Sequence, residues 1–455
     1  MHKDLQKISG KVVIVGLGIT GIACARFLKN MDVEVAATDS RENPPGLKEF
    51  QQEFPISDIA VGGFDEEMLL SANVIVVSPG VSLRDPALMK AAMSGVRIWG
   101  EIEVFARYAN ARVIAITGSN GKSTVTTLVA KMLEKAGKKV AVGGNLGTPA
   151  VSLITDDAPD FYVVELSSFQ LESTFSLSPS AAVILNISED HMDRYSSIEE
   201  YINAKKRVMR GYGDVIVNMD DAQSRDLIYT TEPTRRVCTY TLNPPQENGF
   251  GLRKNEDDKD GVWIYFDETP IMPIADIKIP GMHNVSNVMA SMALAKAVDV
   301  EIKPLIETAK EFAGLDHRTQ WVAESNGVEW YNDSKATNVG ATIAAVSGMG
   351  ENQILIMGGD GKGADFSELK QDFEGKVKLV VLIGRDALDI EKGLDGVAPV
   401  KYAGTMKEAV EIAHEHAENG DKVLLSPACA SWDMFNGYAE RGDEFAKQVK
   451  EIIGG

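Results

Sequence analysis

A short apolar run that leads at once into a glycine turn and a Lys-Ser-Thr triplet constrains this chain more than any other feature. The run at 114–116 predicts a buried strand, Gly118 and Gly121 break it, and apolar residues at helical spacing follow from residue 126 to 133. Such a turn presents backbone N–H groups, a lysine and a hydroxyl to a phosphate and its Mg²⁺. We therefore predict a nucleoside-triphosphate site, against the alternative of a turn without a ligand. It would comprise Gly118, Ser119, Asn120, Gly121, Lys122, Ser123 and Thr124.

A second glycine-rich turn lies near the start of the chain. An apolar strand at 11–15 runs into a G-x-G-x-x-G turn at 16–21, and a further strand at 33–38 ends in Asp39, about 20 residues on. By itself this pattern favours an NAD enzyme. On physical grounds, however, the turn predicts only that a diphosphate or nucleotide binds at a helix N-terminus. A Rossmann-like unit is predicted for residues 1–100.

Length and composition bound the remaining interpretation. A chain of 455 residues is too long for one core, so about three domains are expected. Its net charge of −20 argues against a general affinity for nucleic acid or anionic membrane. The three cysteines are far apart, without metal or disulfide spacing, which favours a reducing cytoplasm. We expect neither a signal peptide nor a membrane span.

Polar side chains follow two predicted strands of the middle region. Glu165 ends the run at 161–164, and His191 lies in the Asp-His-Met-Asp stretch at 190–193 that follows the run at 181–185. Because ligands sit at the carboxyl ends of parallel strands, both side chains are expected near Ser123, where they suit Mg²⁺. Taken singly, His191 could be a structural histidine and Glu165 a helix cap.

Other polar stretches are less specific. The lysines at 205 and 206 indicate only a charged helix face, and Asn287 indicates a cap or a helix-surface amide. Residues 243–260 predict an exposed excursion, and the run at 331–338 is by default a solvated loop. A further strand at 353–357 enters a glycine-rich loop whose Lys362 suits an anionic group, in a region of alternating strands and helices.

Taken together, the motifs resemble those of the Mur ligases over essentially the whole chain. Three motifs are common to the family, at 117–124, 165–170 and 190–193, and three are typical of its D-glutamate-adding branch, at 332–338, 358–363 and 425–431. The shortened phosphate loop is the family's own form. The implied fold is α/β with three domains: a Rossmann-like N-terminal domain (1–100), a central P-loop ATPase-like α/β domain (101–314) and a C-terminal Rossmann-like α/β domain (315–455).

The resemblance also implies the activity. It is ATP-dependent addition of D-glutamate to UDP-N-acetylmuramoyl-L-alanine through an acyl phosphate, in peptidoglycan precursor synthesis, with two Mg²⁺ ions and a carbamylated lysine. A cytoplasmic monomer that closes over its ligands about joints near residues 101 and 314 is expected. The alternatives are a dehydrogenase, a non-enzymatic nucleotide switch, and a family member that adds a different amino acid.

By the same resemblance, site residues are assigned position by position. The UDP-substrate would be bound by Ile19, Thr20, Ser40, Arg41, Ser78 and Gly80, with Asn145 and His191 placing its muramoyl-alanine arm. ATP would also contact Asn287, Arg318 and Asp333. D-glutamate would be bound by Thr337, Lys362, Ser431 and Tyr438, the last at a position that is usually Phe. The metal ligands would be Ser123, Glu165, His191 and the carbamate on Lys205, for which Lys206 is the alternative. The catalytic residues would be Lys122, Lys205, His191 and Lys335.

Overall fold

Three α/β sheets follow one another along the chain in the computed structural model, which describes residues 8–192, 194–230, 234–255 and 258–454. Each sheet consists largely of parallel strands whose apolar runs are buried on both faces, as expected where helices cover a sheet on both sides. The predicted α/β fold class is confirmed.

The first sheet is all parallel within the described part of the chain. Its strands are β1 (Val12–Val15), β2 (Val35–Asp39), β3 (Ile59–Val61), β4 (Val74–Val77) and β5 (Arg97–Gly100). They lie in the order β3-β2-β1-β4-β5, so the chain reverses direction across the sheet between β1 and β4. The helices are α1 (Ile19–Lys29), α2 (Leu47–Glu53), α3 (Glu66–Leu70), α4 (Pro86–Met93) and α5 (Glu101–Tyr108). Nucleotides bind at such a reversal in doubly wound folds.

The second sheet is the largest of the three. Its strands are β6 (Arg112–Thr117), β7 (Val140–Gly144), β8 (Phe161–Glu165), β9 (Ala181–Ile184), β10 (Asp214–Asn218), β11 (Val237–Tyr240), β12 (Gly249–Asn255), β13 (Asp258–Phe266) and β14 (Thr269–Pro273). The order is β14-β13-β12-β11-β10-β9-β6-β8-β7, and pairing is parallel from β7 to β12 and antiparallel beyond it.

Helices cover this sheet on both faces. They are α6 (Lys122–Lys135), α7 (Ser168–Glu172), α8 (Ile198–Lys206), α9 (Ala222–Arg225), α10 (Leu227–Thr230), α11 (Met282–Ala297) and α12 (Ile302–Glu311), with 3₁₀ turns at Ala150–Leu153, Arg207–Met209 and Ile274–Asp276. One core cluster joins α6, α11 and α12 to one face of the strands. The phosphate-loop helix α6 is thereby fixed directly against the sheet.

The interpretation of residues 243–260 as an exposed excursion holds for 243–248, where most side chains are exposed, but is wrong for the strand that follows. The second half of the stretch forms β12 and the start of β13, and Phe250 and Leu252 are buried in the core. The charged residues from 253 onward lie toward the turn of the hairpin, of which 256 and 257 are outside the described residues. Those charges concealed the alternation of a strand.

The third sheet begins after a loop at 312–319. Its strands are β15 (Gln320–Ser325), β16 (Val328–Asn332), β17 (Gln353–Gly358), β18 (Val377–Ile383), β19 (Val400–Tyr402) and β20 (Lys422–Leu425), in the order β15-β16-β20-β17-β18-β19. Only β15 pairs antiparallel among the strands described here. The helices are α13 (Val339–Met349), α14 (Leu369–Phe373), α15 (Ala387–Leu394), α16 (Met406–His416) and α17 (Tyr438–Gly454), with a 3₁₀ turn at Phe366–Glu368.

The default interpretation of residues 331–338 as a solvated loop is also wrong. Asn332 ends β16, and Asp333, Ser334 and Asn338 are buried. The run is therefore an internal loop at a strand's carboxyl end, facing the middle sheet. None of the helices that the structure describes is both long and apolar enough to cross a bilayer.

Candidate active site

The loop between β6 and α6 has the conformation that its glycines predict. Gly118 has φ of 152° and Gly121 has φ of 83°, values that L side chains rarely adopt. A Cβ on Gly121 would also lie 2.5 Å from the Oδ1 of Asn287 on α11. A residue that follows β9 fixes the loop, because the backbone N–H of Asn120 donates to the Asn186 Oδ1 at 2.8 Å. Lys122 folds back, and its Nζ donates to the carbonyls of Gly118 and Ser119 at 2.9 and 2.7 Å. Its ammonium therefore lies inside the loop where an anion would be bound.

A buried carboxylate faces this loop from the end of β8. The Glu165 Oε1 accepts a hydrogen bond from the Asn145 Nδ2 at 2.6 Å, whereas its buried Oε2 has no hydrogen-bond donor among the described residues. Buried polar atoms are nearly always satisfied, so this oxygen has the environment of a cation ligand. Across the described ranges, no set of three or more His, Cys, Asp or Glu side chains is grouped to hold a metal ion. A Mg²⁺ ion here would thus rely on Glu165, hydroxyl, phosphate and water oxygens.

Lys205 on α8 is directed into the phosphate loop and not to solvent. Its Nζ donates to the carbonyl of Gly118 at 2.8 Å and lies 4.6 Å from the ring centroid of Tyr201, whose hydroxyl is 3.0 Å from the Ser119 Oγ. Burial, reinforced by the charge of Lys122, lowers the pKa of Lys205 well below its ordinary value. Its amine is therefore inclined to be neutral. The neighbouring Lys206 is half-buried and lines a different pocket, with Tyr195 and Arg210 and without residues of the phosphate loop.

Three residues of the last third of the chain also reach this site. Arg318 donates through Nη2 to the Ser123 Oγ at 2.8 Å. Asp333 accepts from the Thr319 N–H and from the Ser426 Oγ, each at 3.0 Å, and burial raises the pKa of Asp333 to about 7. Burial, and then the charge of Arg318, lower the pKa of Lys335 to about 8. The site therefore combines charged groups that burial pushes toward neutrality, a common feature of ligand sites.

These groups surround a cavity of about 430 Å³ between the middle and C-terminal sheets. The phosphate loop lines one end, and Asn287, Arg318, Asp333 and Lys335 line the side. Apolar side chains from strand ends and loops complete the wall: Leu185, Tyr240, Leu242 and Ile279. A cavity with an apolar wall, a few convergent polar groups and a phosphate loop at one end is suited to a nucleotide.

A narrow cleft beside this cavity contains two of the predicted amino-acid ligands. Thr337 and Lys362 line it together with Asp190 and His191. The ring of His191 packs 4.7 Å from that of Phe169, and its Nε2 lies 3.6 Å from the Asp190 Oδ2. Asp193, the last residue of that motif, lies outside the described residues.

The other two predicted amino-acid ligands lie elsewhere around the site. Ser431 is buried just after Ala430, which pairs with Asp360. The ring of Tyr438 lies under Lys335, with 3.6 Å between the Nζ and the ring centroid. Neither lines the narrow cleft in the described structure.

The N-terminal glycine turn forms a separate mouth at the ends of β1, β2 and β4. Asp39 accepts from the Leu17 N–H at 2.7 Å and from the Arg41 Nε and Nη2 at 2.9 and 2.7 Å, and Ser78 donates to the Gly16 carbonyl at 2.8 Å. Because Asp39 is engaged by the turn and by Arg41, it is poorly placed to read a ribose as in NAD enzymes. The predicted residues of this mouth are Ile19, Thr20, Ser40, Arg41, Ser78 and Gly80, and Ile19 is 79% exposed.

Sequence reasoning gave no role to Asn338. Its Nδ2 donates to the Asn120 Oδ1 at 3.2 Å and to the Asp190 Oδ2 at 3.3 Å, and its Oδ1 caps α13 through the Ala341 N–H at 2.9 Å. The available signal was an Asn before an apolar helix, which predicts the cap but not the contact with the phosphate loop.

Family models match nearly all of these regions. The model of the Mur ligase MurD-like N-terminal domain matches residues 10–100, that of the Mur ligase middle domain residues 116–295, and that of the Mur ligase glutamate ligase domain residues 317–429.

Full-length relatives are similar at high identity. The chain is 49% identical over 442 residues to the UDP-N-acetylmuramoylalanine–D-glutamate ligase of Pseudomonas syringae pv. tomato, covering 96% of this chain and 97% of that one. It is 48% identical over 444 residues to the protein of the same name from Pseudomonas aeruginosa, covering 97% and 98%.

Solved structures share the fold. The UDP-N-acetylmuramate-alanine ligase MurC of Thermotoga maritima superposes with a TM-score of 0.60 at 18% identity, covering 97% of this chain and 99% of that one. A pseudomurein peptide ligase type C of Methanothermus fervidus gives a TM-score of 0.61 at 18% identity, with the same coverage.

Proposed function

The chain belongs to the Mur ligase family, and we propose that it joins D-glutamate to UDP-N-acetylmuramoyl-L-alanine at the expense of ATP, in peptidoglycan precursor synthesis. One structural observation carries this proposal. The phosphate loop at 118–124, the unsatisfied oxygen of Glu165 and the Arg318–Asp333–Lys335 group surround one cavity, next to a cleft that contains Lys362. The relatives at 48–49% identity support the choice of amino acid.

The chemistry requires activation of a carboxylate. An amine cannot expel oxide from a carboxylate, so the γ-phosphate of ATP is first transferred to the L-alanyl carboxylate, which gives an acyl phosphate and ADP. The amine of D-glutamate then attacks the carbonyl carbon, loses its proton, and the tetrahedral intermediate expels phosphate. The protein's contribution is to hold the two anions together and to stabilise charge in the transition state.

Lys122 and Arg318 supply this electrostatic stabilisation. The Nζ of Lys122 lies inside the phosphate loop, and Arg318 reaches the first turn of α6. Ser123 and Glu165 would hold a Mg²⁺ ion, which supplies neutralisation of the phosphate oxygens when bound. The donor set fits because the Glu165 Oε2 is buried without a hydrogen-bond donor among the described residues.

We assign Lys205 as the carbamylated lysine. A neutral amine adds CO₂ and releases a proton, so the lowered pKa of Lys205 favours the reaction. The product is an anionic oxygen ligand beside Gly118, which together with His191 would serve a second ion. The carbamate also places a negative charge beside the ammonium of Lys122, where burial and that ammonium disfavour the protonated amine.

The remaining assignments extend the same scheme. The N-terminal mouth would take the UDP group through Arg41 and Ser78, and Asn145 and His191 would guide the muramoyl-alanine arm into the middle domain. Thr337 and Lys362 would bind D-glutamate with Ser431 and Tyr438. We place domain boundaries at residues 100 and 314 and expect a cytoplasmic monomer.

The test is phosphate release with UDP-N-acetylmuramoyl-L-alanine and ATP, comparing D-glutamate with L-glutamate, L-lysine and meso-diaminopimelate. Release that depends on D-glutamate alone is expected. Release with another of these amino acids would place the chain in a different branch of the family. Release without any amino acid would favour a nucleotide switch. A change in nicotinamide absorbance with no phosphate release would favour a dehydrogenase.

A further inference from the structure

An ion pair joins the middle and C-terminal domains at the narrow cleft. The Lys362 Nζ lies 2.6 Å from the Asp190 Oδ1, and their side chains are only 18% and 11% exposed. The other oxygen of Asp190 accepts from the Asn338 Nδ2 at 3.3 Å. The carboxylate of Asp190 is thus held by donors from the C-terminal domain on both of its oxygens, as a bound ligand's carboxylate would be.

The backbone around Lys362 is fixed so that its ammonium lies in the narrow cleft. Its backbone has φ of 55°, and its N–H donates to the Asp360 Oδ1 at 3.0 Å, which fixes the loop that carries it. That ammonium lies 2.6 Å from the Asp190 carboxylate, in a cleft where both side chains are largely shielded from solvent. A carboxylate that enters from solution therefore meets a cation already neutralised by Asp190.

We propose that Asp190 sets the affinity for the incoming amino acid, because it occupies Lys362 as an internal stand-in for a carboxylate of that substrate. The inference rests on the proposed function, in which Lys362 binds that carboxylate. To bind, the substrate must displace Asp190 from the Nζ or share it, and either event costs free energy that the rest of the substrate must offset.

This cost is the same for every ligand whose carboxylate takes the Nζ of Lys362. A small monocarboxylate offers one anionic group and has few other contacts with which to offset it. A dicarboxylic amino acid has a second carboxylate and an amine with which to do so. Asp190 thus keeps weak carboxylate ligands from occupying the cleft, and it also weakens the affinity for the right one.

The experiment measures binding of glutarate, which has both carboxylates of glutamate but no amine. Calorimetry on the intact protein gives the Kd of glutarate for the wild type, Asp190→Asn, Asp190→Glu and the matched control Glu189→Gln. Glu189 is an exposed neighbour that lines the same cleft. Steady-state phosphate release gives kcat and the KM values for D-glutamate and ATP in parallel.

In Asp190→Asn, the Kd of glutarate and the KM for D-glutamate are expected to fall together by about three- to tenfold, the range of a partly buried ion pair. The KM for ATP should not change, and Asp190→Glu and Glu189→Gln should remain near the wild type. A Kd and KM that are unchanged in Asp190→Asn, or that rise, would overturn the inference and leave Asp190 as a residue that merely fixes Lys362. Glutarate binding needs no turnover, so it tests the inference independently of the proposed function. The proposed function is overturned by a different result, namely a wild type that releases no phosphate with D-glutamate.

Discussion

Arg318 and Ser123 are 195 positions apart in the chain, and the Arg318 Nη2 donates a 2.8 Å hydrogen bond to the Ser123 Oγ. The arginine lies in the loop at 312–319 that leads into the last sheet, and the serine lies in the first turn of α6. This contact and that of Asn338 with Asn120 place the C-terminal domain directly on the phosphate loop, and Lys362 pairs with Asp190 nearby. The chemistry we propose therefore takes place between the middle and C-terminal domains.

Replacement of Lys122 should remove the charge inside the phosphate loop. We expect Lys122→Ala to lower kcat by at least about 10²–10³-fold, as for the loss of one preorganised electrostatic contact. Binding of UDP-N-acetylmuramoyl-L-alanine, measured by calorimetry, should remain. Lys131→Ala, which alters an exposed lysine of the same helix, is the control and should keep normal turnover. Normal turnover in Lys122→Ala would contradict the assignment.

The contribution of Lys205 to activity should depend on its reaction with CO₂ and on its buried position. Lys205→Ala is expected to lose most activity and to regain part of it with formate or acetate, whose oxygens replace those of the carbamate. Lys206→Ala, one residue along the helix, should stay active because Lys206 is only half-buried. Carbon-13 NMR with labelled bicarbonate should show a carbamate signal in the wild type and in Lys206→Ala, and none in Lys205→Ala. A fully active Lys205→Ala would exclude the carbamate at this position.

Gly121 should not tolerate a side chain. In Gly121→Ala, the Cβ would be held at φ of 83° and would lie 2.5 Å from the Asn287 Oδ1, so the loop or α11 must move. The strain is on the order of 1–3 kcal/mol, and the KM for ATP should rise sharply. Gly147→Ala shares the positive φ, at 68°, but has open space for a Cβ. It should therefore lose some stability and keep its affinity for ATP; equal KM values for ATP in the two variants would refute this role of Gly121.

Burial of Glu101 should make the stability of the protein depend on pH. Burial raises the pKa of this carboxyl to about 7, although its Oε1 accepts from the Val151 N–H at 2.8 Å. The folded state then holds the proton more tightly than the unfolded state. The contribution of Glu101 is fully present below pH 4.5 and is lost as pH rises to about 7.

Glu101→Gln does not titrate, so its stability relative to the wild type should improve between pH 4.5 and pH 8 by on the order of 2 kcal/mol. Urea unfolding of the ligand-free protein at the two values of pH measures this difference. Glu67→Gln removes an exposed carboxylate on α3 and should show almost none of it. If the difference in unfolding free energy between Glu101→Gln and the wild type did not change with pH, Glu101 would not be a buried carboxyl with a raised pKa.

Much of the fold could be predicted because strands and glycine turns have local signatures. The runs before Gly16 and Gly118 form β1 and β6, and the rule that ligands lie at carboxyl ends of strands correctly brought Glu165 to the edge of the sheet where Ser123 lies. The hairpin at 249–266 was missed because charged residues near its turn hid the alternation of β12 and β13.

The site was harder to predict where residues meet between domains. Nothing near Asn338 in the sequence indicates that its amide meets Asn120 more than 200 positions earlier. The burial of Lys205 is likewise a property of how α8 packs on the phosphate loop, since its own helix carries several charges. The resemblance to a family supplied the role of Lys205 as an expectation, and its contacts with Gly118 and Tyr201 are consistent with that role.

The most direct test of the central claim is a crystal structure with a non-hydrolysable ATP analogue and UDP-N-acetylmuramoyl-L-alanine bound together. We predict that the triphosphate lies on residues 118–124 with its adenosine in the cavity beside Asn287, and that the uridine nucleotide lies on residues 16–21 beside Arg41 and Ser78. An adenine nucleotide on residues 16–21, with the loop at 118–124 free of phosphate, would contradict the account.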